Sequence, residues 1–585
     1  MKKITLFLAA FLTLATATQA DAQAPVTFNW AHSIDGATSA GDNVVDMCKS
    51  SDGFYYIAAD FGSVDEDLQF KTKVRNVNFD GEILKGGDNN PVEGSPYNDG
   101  TSYNRNLLLQ KVAQNGDVSW NIYTRKGDVD QESVMAATSD GGVVMVLKTR
   151  AWAKEAGYDN LLEIVDATGA VTTVKDMNTE RSEYRFLVVR LTGEGKLVWT
   201  RLINGLVYHK SDGYGQNATD NAYINGLAVD DEGNIYLSGN YRTKLFLKAA
   251  DGTTVTLTAK NNKGFGGDPQ QSVGDLYLLK LDKDGYYVSS LTSESSCEAA
   301  YMDRIVYHDG KIYANGRVAG DGTEYLLGGK AINAATKHET LYVASINASD
   351  LSVNYVTTLG WAEGNSKWGL HNKGIQYEDG SIWSTGGVQG TLACVDNKTG
   401  MYRGFALRIN PDNGELLNSM MFNLSGISEC FGVYVNASTV YAFGYNMTAG
   451  SVLVPFAKSN YAAGSAITLA KYGTTALACT PVIDGDNLIM MNRGGRARST
   501  TAEATFYGTD TKFSNLTAWG VVYYSYKIAD TTDGISSATA TAAASQYDVY
   551  TLDGALVKTA KTYDEAVRGL AAGVYVIGDK KVTID

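Results

Sequence analysis

Residues able to do chemistry are thinly spread along this chain. Its five histidines, His32, His209, His308, His338 and His371, show no His-x-x-x-His or comparable metal-ligand spacing. No Gly-x-Ser-x-Gly elbow, phosphate-cradling glycine loop or Cys-x-x-Cys pair occurs. Asp282-Lys283-Asp284-Gly285 opens like a calcium loop but lacks the later ligands. No linear motif therefore names a catalytic residue, a metal site or a cofactor. Carboxylates from separate segments can still converge, and Asp99, Asp159 and Asp212 are the ones to follow. More abundant are aromatic rings beside polar groups: Trp152, Tyr158 and Asp159; Tyr208, Asp212 and Tyr214; Trp361, Trp368 and His371. Aromatic faces next to carboxylates and amides suit the C–H faces and hydroxyls of sugar rings. The same side chains also suit packing one loop onto another. Arg493, Arg496 and Arg498 stand close together around Gly494 and Gly495, where three guanidinium groups would form an anion site for carboxylate, sulfate or phosphate.

The elements that must hold these residues repeat. One copy runs from Ile224 to Asn240 as two apolar alternating runs around Asp231-Glu232-Gly233, and a second hairpin follows from Asp275 to Ser290 around Asp284-Gly285. Tight Asp/Gly turns recur at Ser51-Asp52-Gly53, Ser139-Asp140-Gly141, His308-Asp309-Gly310, Glu378-Asp379-Gly380 and Asp484-Gly485. The flanking runs alternate with period two, as strands do. Tandem hairpins repeated in this way build a β-propeller, whose blades have four strands, a to d, from the axis outwards. Six blades are complete between about Gly41 and Gly473. A seventh has strands a and b at Pro481 to Asn492 and strand c at Trp519 to Ile528, but no strand d follows. The segment Val26 to Gly36 supplies it, with Trp30 standing where Trp120 and Trp199 stand in their own d strands. The expected fold is all-β: a seven-bladed β-propeller closed by its N-terminal strand, plus a small C-terminal β module. Blades 1 to 3, from Gly41 to about Ser290, resemble the β-propeller repeat family of exported bacterial proteins, through units reading Gly-Asn-hydrophobic-Tyr-x-x-Gly and Asp-x-hydrophobic-x-x-Lys-hydrophobic-Asp-x-x-Gly. In blade 4, Ala348-Ser349-Asp350 replaces the glycine turn. The resemblance implies an architecture and no activity.

In four-stranded antiparallel blades the a–b and c–d turns share one face, and the b–c and d–a connections share the other. The long segments fall in the second set: 62–105, 151–183, 242–274, 319–338 and 493–518 as b–c connections, 206–223 and 361–372 as d–a connections. All the aromatic and arginine candidates lie there, so this loop-rich face is where a ligand is expected.

The ends carry addresses. Met1-Lys2-Lys3, an apolar run and small residues at Ala20, Ala22 and Ala24 read as a signal peptide, residues 1–20. The propeller is assigned 25–528, a small polar linker 529–545 and a β module 546–585. That module, through Tyr550-Thr-Leu-Asp-Gly554, Leu570-Ala-Ala-Gly-Val-Tyr575 and a final Lys580-Lys-Val strand, resembles the C-terminal sorting domain of type IX secretion in the Bacteroidetes, which implies secretion machinery as a partner. No other stretch is apolar and long enough to span a bilayer. A formal net charge of −14 argues against nucleic acid. Five cysteines are an odd number for an exported chain. Cys430 with Cys479 and Cys297 with Cys394 are conceivable pairs, and Cys48 is left over.

Together these point to an exported protein, extracellular, on the outer cell surface or periplasmic. Its function is expected to be binding, without chemistry, of a glycan or a protein partner. The alternative is a secreted carbohydrate-active enzyme, a lyase or hydrolase, and a third reading is a structural component of the cell envelope.

Overall fold

A computed structural model gives the fold. It describes residues 26–35, 43–62, 71–73, 75–77, 91–93, 105–125, 127–129, 132–151, 162–175, 185–205, 222–241, 244–260, 274–293, 299–319, 324–333, 338–363, 369–392, 397, 401–472, 480–493, 502–510, 512–516, 520–528, 547–551, 555–560, 563–577 and 580–584. Two compact units result, one of them Val26–Ile528 and the other holding the C-terminal strands.

The larger unit is a seven-bladed propeller of antiparallel sheets. Blade 1 is Asn43–Lys49, Tyr55–Gly62, Arg105–Val112 and Val118–Arg125. Blade 2 is Val134–Ala137, Val143–Ala151, Arg185–Leu191 and Leu197–Gly205, and blade 3 is Ala222–Val229, Ile235–Tyr241, Asp275–Leu281 and Tyr287–Thr292. Blade 4 is Ala299–His308, Lys311–Ala319, Glu339–Asn347 and Val353–Glu363, and blade 5 is Leu370–Glu378, Ser381–Gln389, Tyr402–Ile409 and Leu416–Met421. Blade 6 is Ser428–Val435, Thr439–Asn446, Gly450–Ala457 and Ile467–Tyr472. Blade 7 is Val482–Asp484, Asn487–Arg493 and Val521–Ile528, and its outer strand is Val26–Asp35, paired antiparallel from Val26 against Ile528 to Ile34 against Val521. The N-terminal closure expected from Trp30 is present.

Apolar clusters lie between blades, because each strand buries alternate side chains on both faces of its sheet. Tyr313, Leu341 and Val343 of blade 4 share one cluster with Leu370, Ile375, Ile382 and Phe405 of blade 5. On the short-turn face a second, directional contact repeats. The Trp30 indole N–H of blade 7 donates to Gln114 O in the c–d turn of blade 1 at 2.7 Å, and Trp120 of blade 1 donates to Gly193 O of blade 2 at 3.1 Å. The ring lies on the turn glycine. A Cβ on Gly195 would come within 2.9 Å of Trp120, one on Gly285 within 2.8 Å of Trp199, and one on Gly414 within 2.6 Å of Tyr355. These glycines also have φ of +79°, +81° and +76°, so the turn needs glycine twice over. A strand-c cation adds to the latch: Lys111 Nζ reaches Gly193 O at 2.8 Å and Lys280 Nζ reaches Ala348 O at 2.8 Å. In blade 4, where the glycine signature fades, Leu351 takes the left-handed position at φ +61° and buries its side chain.

The described parts of the long b–c connections form extra strands, and in five blades one of these pairs with the outer strand of the preceding blade. Arg75–Val77 of the blade 1 connection pairs with Ser33 to Asp35 of blade 7. Leu162–Val165 of blade 2 pairs with Tyr123 to Arg125 of blade 1, Lys244–Lys248 of blade 3 with Asn204 and Gly205 of blade 2, and Thr391–Leu392 of blade 5 with Ala362 and Glu363 of blade 4. Ala502–Phe506 of blade 7 pairs with Ala470 to Tyr472 of blade 6. The blade 4 hairpin, Glu324–Leu327 with Lys330–Asn333, bridges by side chains: the Tyr325 hydroxyl bonds Ser293 Oγ beside blade 3. Outer strands carry unpaired N–H and C=O groups, and these insertions satisfy part of that edge.

The smaller unit is a four-stranded sheet ordered Leu556–Ala560, Tyr547–Thr551, Gly573–Ile577, Lys580–Ile584. Its core is Val549, Ala560, Ala566 and Ile577. Ala566 comes from a short helix, Tyr563–Val567, for which strand alternation carries no signal. No helix among the described residues is long and apolar enough to cross a membrane.

Trp30 is 9% exposed and joins the closing strand to blade 1. Trp30→Ala is expected to cost about 3–5 kcal/mol, read as a lower urea midpoint. Val288→Ala, at a side chain 50% exposed, should stay within about 0.5 kcal/mol.

Candidate functional site

Five of the innermost strands carry a β-bulge at equivalent height, around Val45, Asn225, Asp303, Lys373 and Phe431. A bulge inserts one unpaired residue and re-aims its side chain. In three of them the next residue is glycine because the neighbouring inner strand is too close for a Cβ. A Cβ on Gly226 would sit 3.0 Å from Ile305 N, one on Gly374 within contact of Phe431 O, and one on Gly432 2.9 Å from Gln376 Oε1. The bulges thus bring polar residues from adjacent blades together at the loop-rich end of the axis.

Between blades 4 and 5 this produces a buried charge cluster. Arg317, near the end of strand b, reaches Asp303 Oδ2 at 3.2 Å and Glu339 Oε1 at 2.7 Å. The same Nη1 donates to Leu370 O at 3.1 Å, and the guanidinium lies 4.1 Å from the Tyr301 ring centroid. Asn372 Nδ2 donates to Asp303 Oδ2 at 2.8 Å, and Glu339 Oε2 accepts the Leu370 N–H at 2.9 Å. Burial pushes Glu339 above the usual carboxylate range even though Arg317 opposes it. Burial also acts against the Arg317 charge, but Asp303 and Glu339 outweigh it and hold the guanidinium protonated.

Between blades 5 and 6 a second group is more open. His371 Nδ1 lies 2.6 Å from Glu429 Oε1, and Lys373 Nζ lies 3.2 Å from Glu429 Oε2. The His371 ring stacks on Tyr402 at 4.4 Å, and Lys373 Nζ lies 5.5 Å from the Phe431 ring centroid. The His371 side chain is 40% exposed and that of Glu429 only 9%. Burial works to raise Glu429, but the hydrogen bond from His371 and the charge of Lys373 overcome it and hold the carboxyl below its ordinary value. Glu429 is thereby kept ionised and orients the imidazole, which turns Nε2 away from the carboxylate. No cluster of three or more His, Cys, Asp or Glu able to hold a metal occurs among the described residues.

Of the residues singled out in the sequence, His371 falls in this group. Trp361 lies at the end of the outer strand of blade 4, where it pairs with Thr340. Arg493 ends strand b of blade 7 and pairs with Val521, also on the loop-rich side. Trp152, Tyr158, Asp159, Tyr208, Asp212, Tyr214, Trp368, Arg496 and Arg498 lie outside the described residues, as does Asp99. Tyr402, Lys373, Glu429, Arg317, Asp303 and Glu339 were not anticipated. The available signal was the repeated x-Gly in the inner strands, Asn225-Gly226, Lys373-Gly374 and Phe431-Gly432. His308 stacks on Tyr377 at 3.6 Å. Cys430 is a buried free thiol rather than half of a bridge with Cys479, and burial pushes it up to about 12; Cys48 is also free. Cys297, Cys394 and Cys479 lie outside the described residues.

No family model matches the chain, and no curated protein matches it. Among solved structures it is similar to a quinohemoprotein alcohol dehydrogenase from Comamonas testosteroni, with a TM-score of 0.37 and 10% identity over 86% of this chain and 76% of that one. It is also similar to a protein of unknown function from Dyadobacter fermentans, with a TM-score of 0.36 and 11% identity over 86% of this chain and 100% of that one. Similarity at this level carries nothing about chemistry, and the blade count rests on the sheets themselves.

Two predictions follow from the charges. Arg317→Met leaves Asp303 and Glu339 without their cation and should destabilise by about 3–5 kcal/mol in urea unfolding. Glu429 has a folded pKa below its ordinary 4.5, so its ion pairs stabilise above that value and are lost as pH falls through the depressed one. The stability gap between the wild type and Glu429→Gln should be full near neutral pH and shrink below about pH 4.5.

Proposed function

We propose that this is an exported or cell-surface binding protein whose propeller offers its loop-rich face to a glycan or protein partner. One observation carries the reading. The His371–Tyr402 stack, Lys373 and Glu429 form a partly exposed patch at the axis on that face, with its polar groups already fixed by one another. Fixed donors and acceptors beside aromatic rings lower the ordering cost of binding. The paired insertions support the same reading, since they tie the bases of the b–c connections to neighbouring blades. Export rests on the leader-like N-terminus, and delivery to the secretion machinery on the sorting-like C-terminal sequence.

One feature favours a carbohydrate-active enzyme as the second reading. An imidazole oriented by a carboxylate is also how a general base is set up.

The test is a broad glycan array on the exported chain, with mass-spectrometric analysis of any product. Binding without turnover, weakened about 10-fold or more (about 1.4 kcal/mol) by His371→Ala and by Tyr402→Ala at unchanged melting temperature, is the expected result. Turnover abolished by His371→Ala would establish the enzyme instead. Binding untouched by both substitutions would move the site elsewhere on the face.

A further inference from the structure

The short-turn end of the axis carries a cavity that no motif announces. The innermost strand of blade 7, Val482–Asp484, has three residues, against nine in Leu370–Glu378 of blade 5 and eight in Ser428–Val435 of blade 6. Beside this short strand and its turn a cavity of about 510 Å³ opens, lined among others by Gln376, Tyr377 and Glu378 of blade 5, Tyr434 of blade 6, and Pro481 and Ile483 of blade 7. That volume lies within the range of small-molecule sites, about 300–1,000 Å³.

Its walls are held from behind. The Gln376 side-chain amide donates to Val433 O at 2.5 Å and accepts the Val433 N–H at 3.0 Å, so its polar groups are already engaged with the neighbouring strand. Tyr377 is stacked on His308 at 3.6 Å, and Tyr434 on Tyr441 at 6.3 Å. Pro481 and Ile483 are apolar.

Glu378 is the charged residue of this lining. Nearby cations are engaged elsewhere: Lys458 Nζ pairs with Asp379 at 2.6 Å and Lys49 Nζ with Asp484 at 2.5 Å. The Glu378 carboxyl has the Val435 backbone N–H, and no ion pair to it is formed among the described residues. Burial and the neighbouring Asp379 charge raise it above the usual range. A half-buried carboxylate without a cation is a standing cost that a ligand can relieve. Tyrosine faces and apolar walls beside it favour the same kind of ligand, because an ammonium group is attracted to aromatic faces. An anion would be repelled, and a polyhydroxylated ring would find few free partners in a wall whose amide is already paired.

We propose that this cavity is a second site, on the opposite face from the glycan or protein patch, and that it binds a small organic ammonium ion with an apolar body. Glu378 pairs with the ammonium, and Tyr434, Pro481 and Ile483 enclose the apolar part.

The test is calorimetric titration of the full chain with phenethylammonium, against 2-phenylethanol as its neutral counterpart. The ammonium should bind about 10-fold or more tighter than the alcohol, the order expected for a charged hydrogen-bonded pair. Glu378→Gln, nearly isosteric, should bring the two to the same affinity, with the far-UV circular dichroism unchanged. Equal binding of the two compounds to the wild type, no binding of either at millimolar concentration, or a preference that survives Glu378→Gln would each overturn the proposal. If Glu378→Gln fails to fold, the wild-type comparison of ammonium with alcohol decides alone.

Discussion

An aromatic ring laid on a glycine of the next blade is the contact on which this structure depends. Blades packed only through apolar side chains can slide, because hydrophobic contact has no direction. The indole N–H of Trp30 or Trp120, aimed at a turn carbonyl of the following blade, removes that freedom and sets one blade's height against the next. The glycine makes room for the ring, and a strand-c cation, Lys111 or Lys280, also bonds a c–d turn carbonyl of the following blade. With heights fixed on the short-turn face, the inner strands arrive in step at the other end. There the bulges fall level, and Arg317 of blade 4 meets the Leu370 carbonyl of blade 5.

Much of this was legible in the sequence, and the parts that were share a cause. Turn glycines, period-two runs and the Trp spacing are local patterns, and a local pattern that repeats announces itself. The closing strand was legible too, because Trp30 repeats the spacing of Trp120 and Trp199. The extra strands of the b–c connections left no such mark. Lys244–Lys248 is a short, half-polar segment whose partner is the end of another blade, and nothing within it names that partner. The charge cluster was hidden for the same reason. Asp303, Arg317 and Glu339 lie on three different strands with no motif linking them, and only the register of strand pairing puts them within reach. At Leu351 a buried side chain took over a glycine's backbone position, which explains why the repeat fades in blade 4 although the blade itself is regular.

The site was legible to the extent that the face was. His371 was found because it is a histidine beside aromatics where a d–a connection was expected, although it lies in the inner strand of blade 5. Its partners were missed because Lys373 reads as an ordinary strand residue although it sits at a bulge, and Glu429 comes from the inner strand of the next blade. The described stretches of the long connections are largely taken up with stitching blade edges.

The closing strand has a consequence for the order of events in folding. Val26 pairs with Ile528, so the first and last residues of the propeller are neighbours in one sheet. Blades 1 to 6 can form as the chain emerges, each leaning on the one before, but the circle stays open until the last strand of blade 7 exists. Until then Val26–Asp35 has no sheet to join, and blade 7 has an unpaired edge. Contacts so far apart in sequence form late and slowly. A chain stopped anywhere short of Ile528 is a curved stack of blades with two raw ends, open to other chains in the same state. Completion of the chain and closure of the ring are one step, and that step separates a closed ring from an aggregation-prone arc.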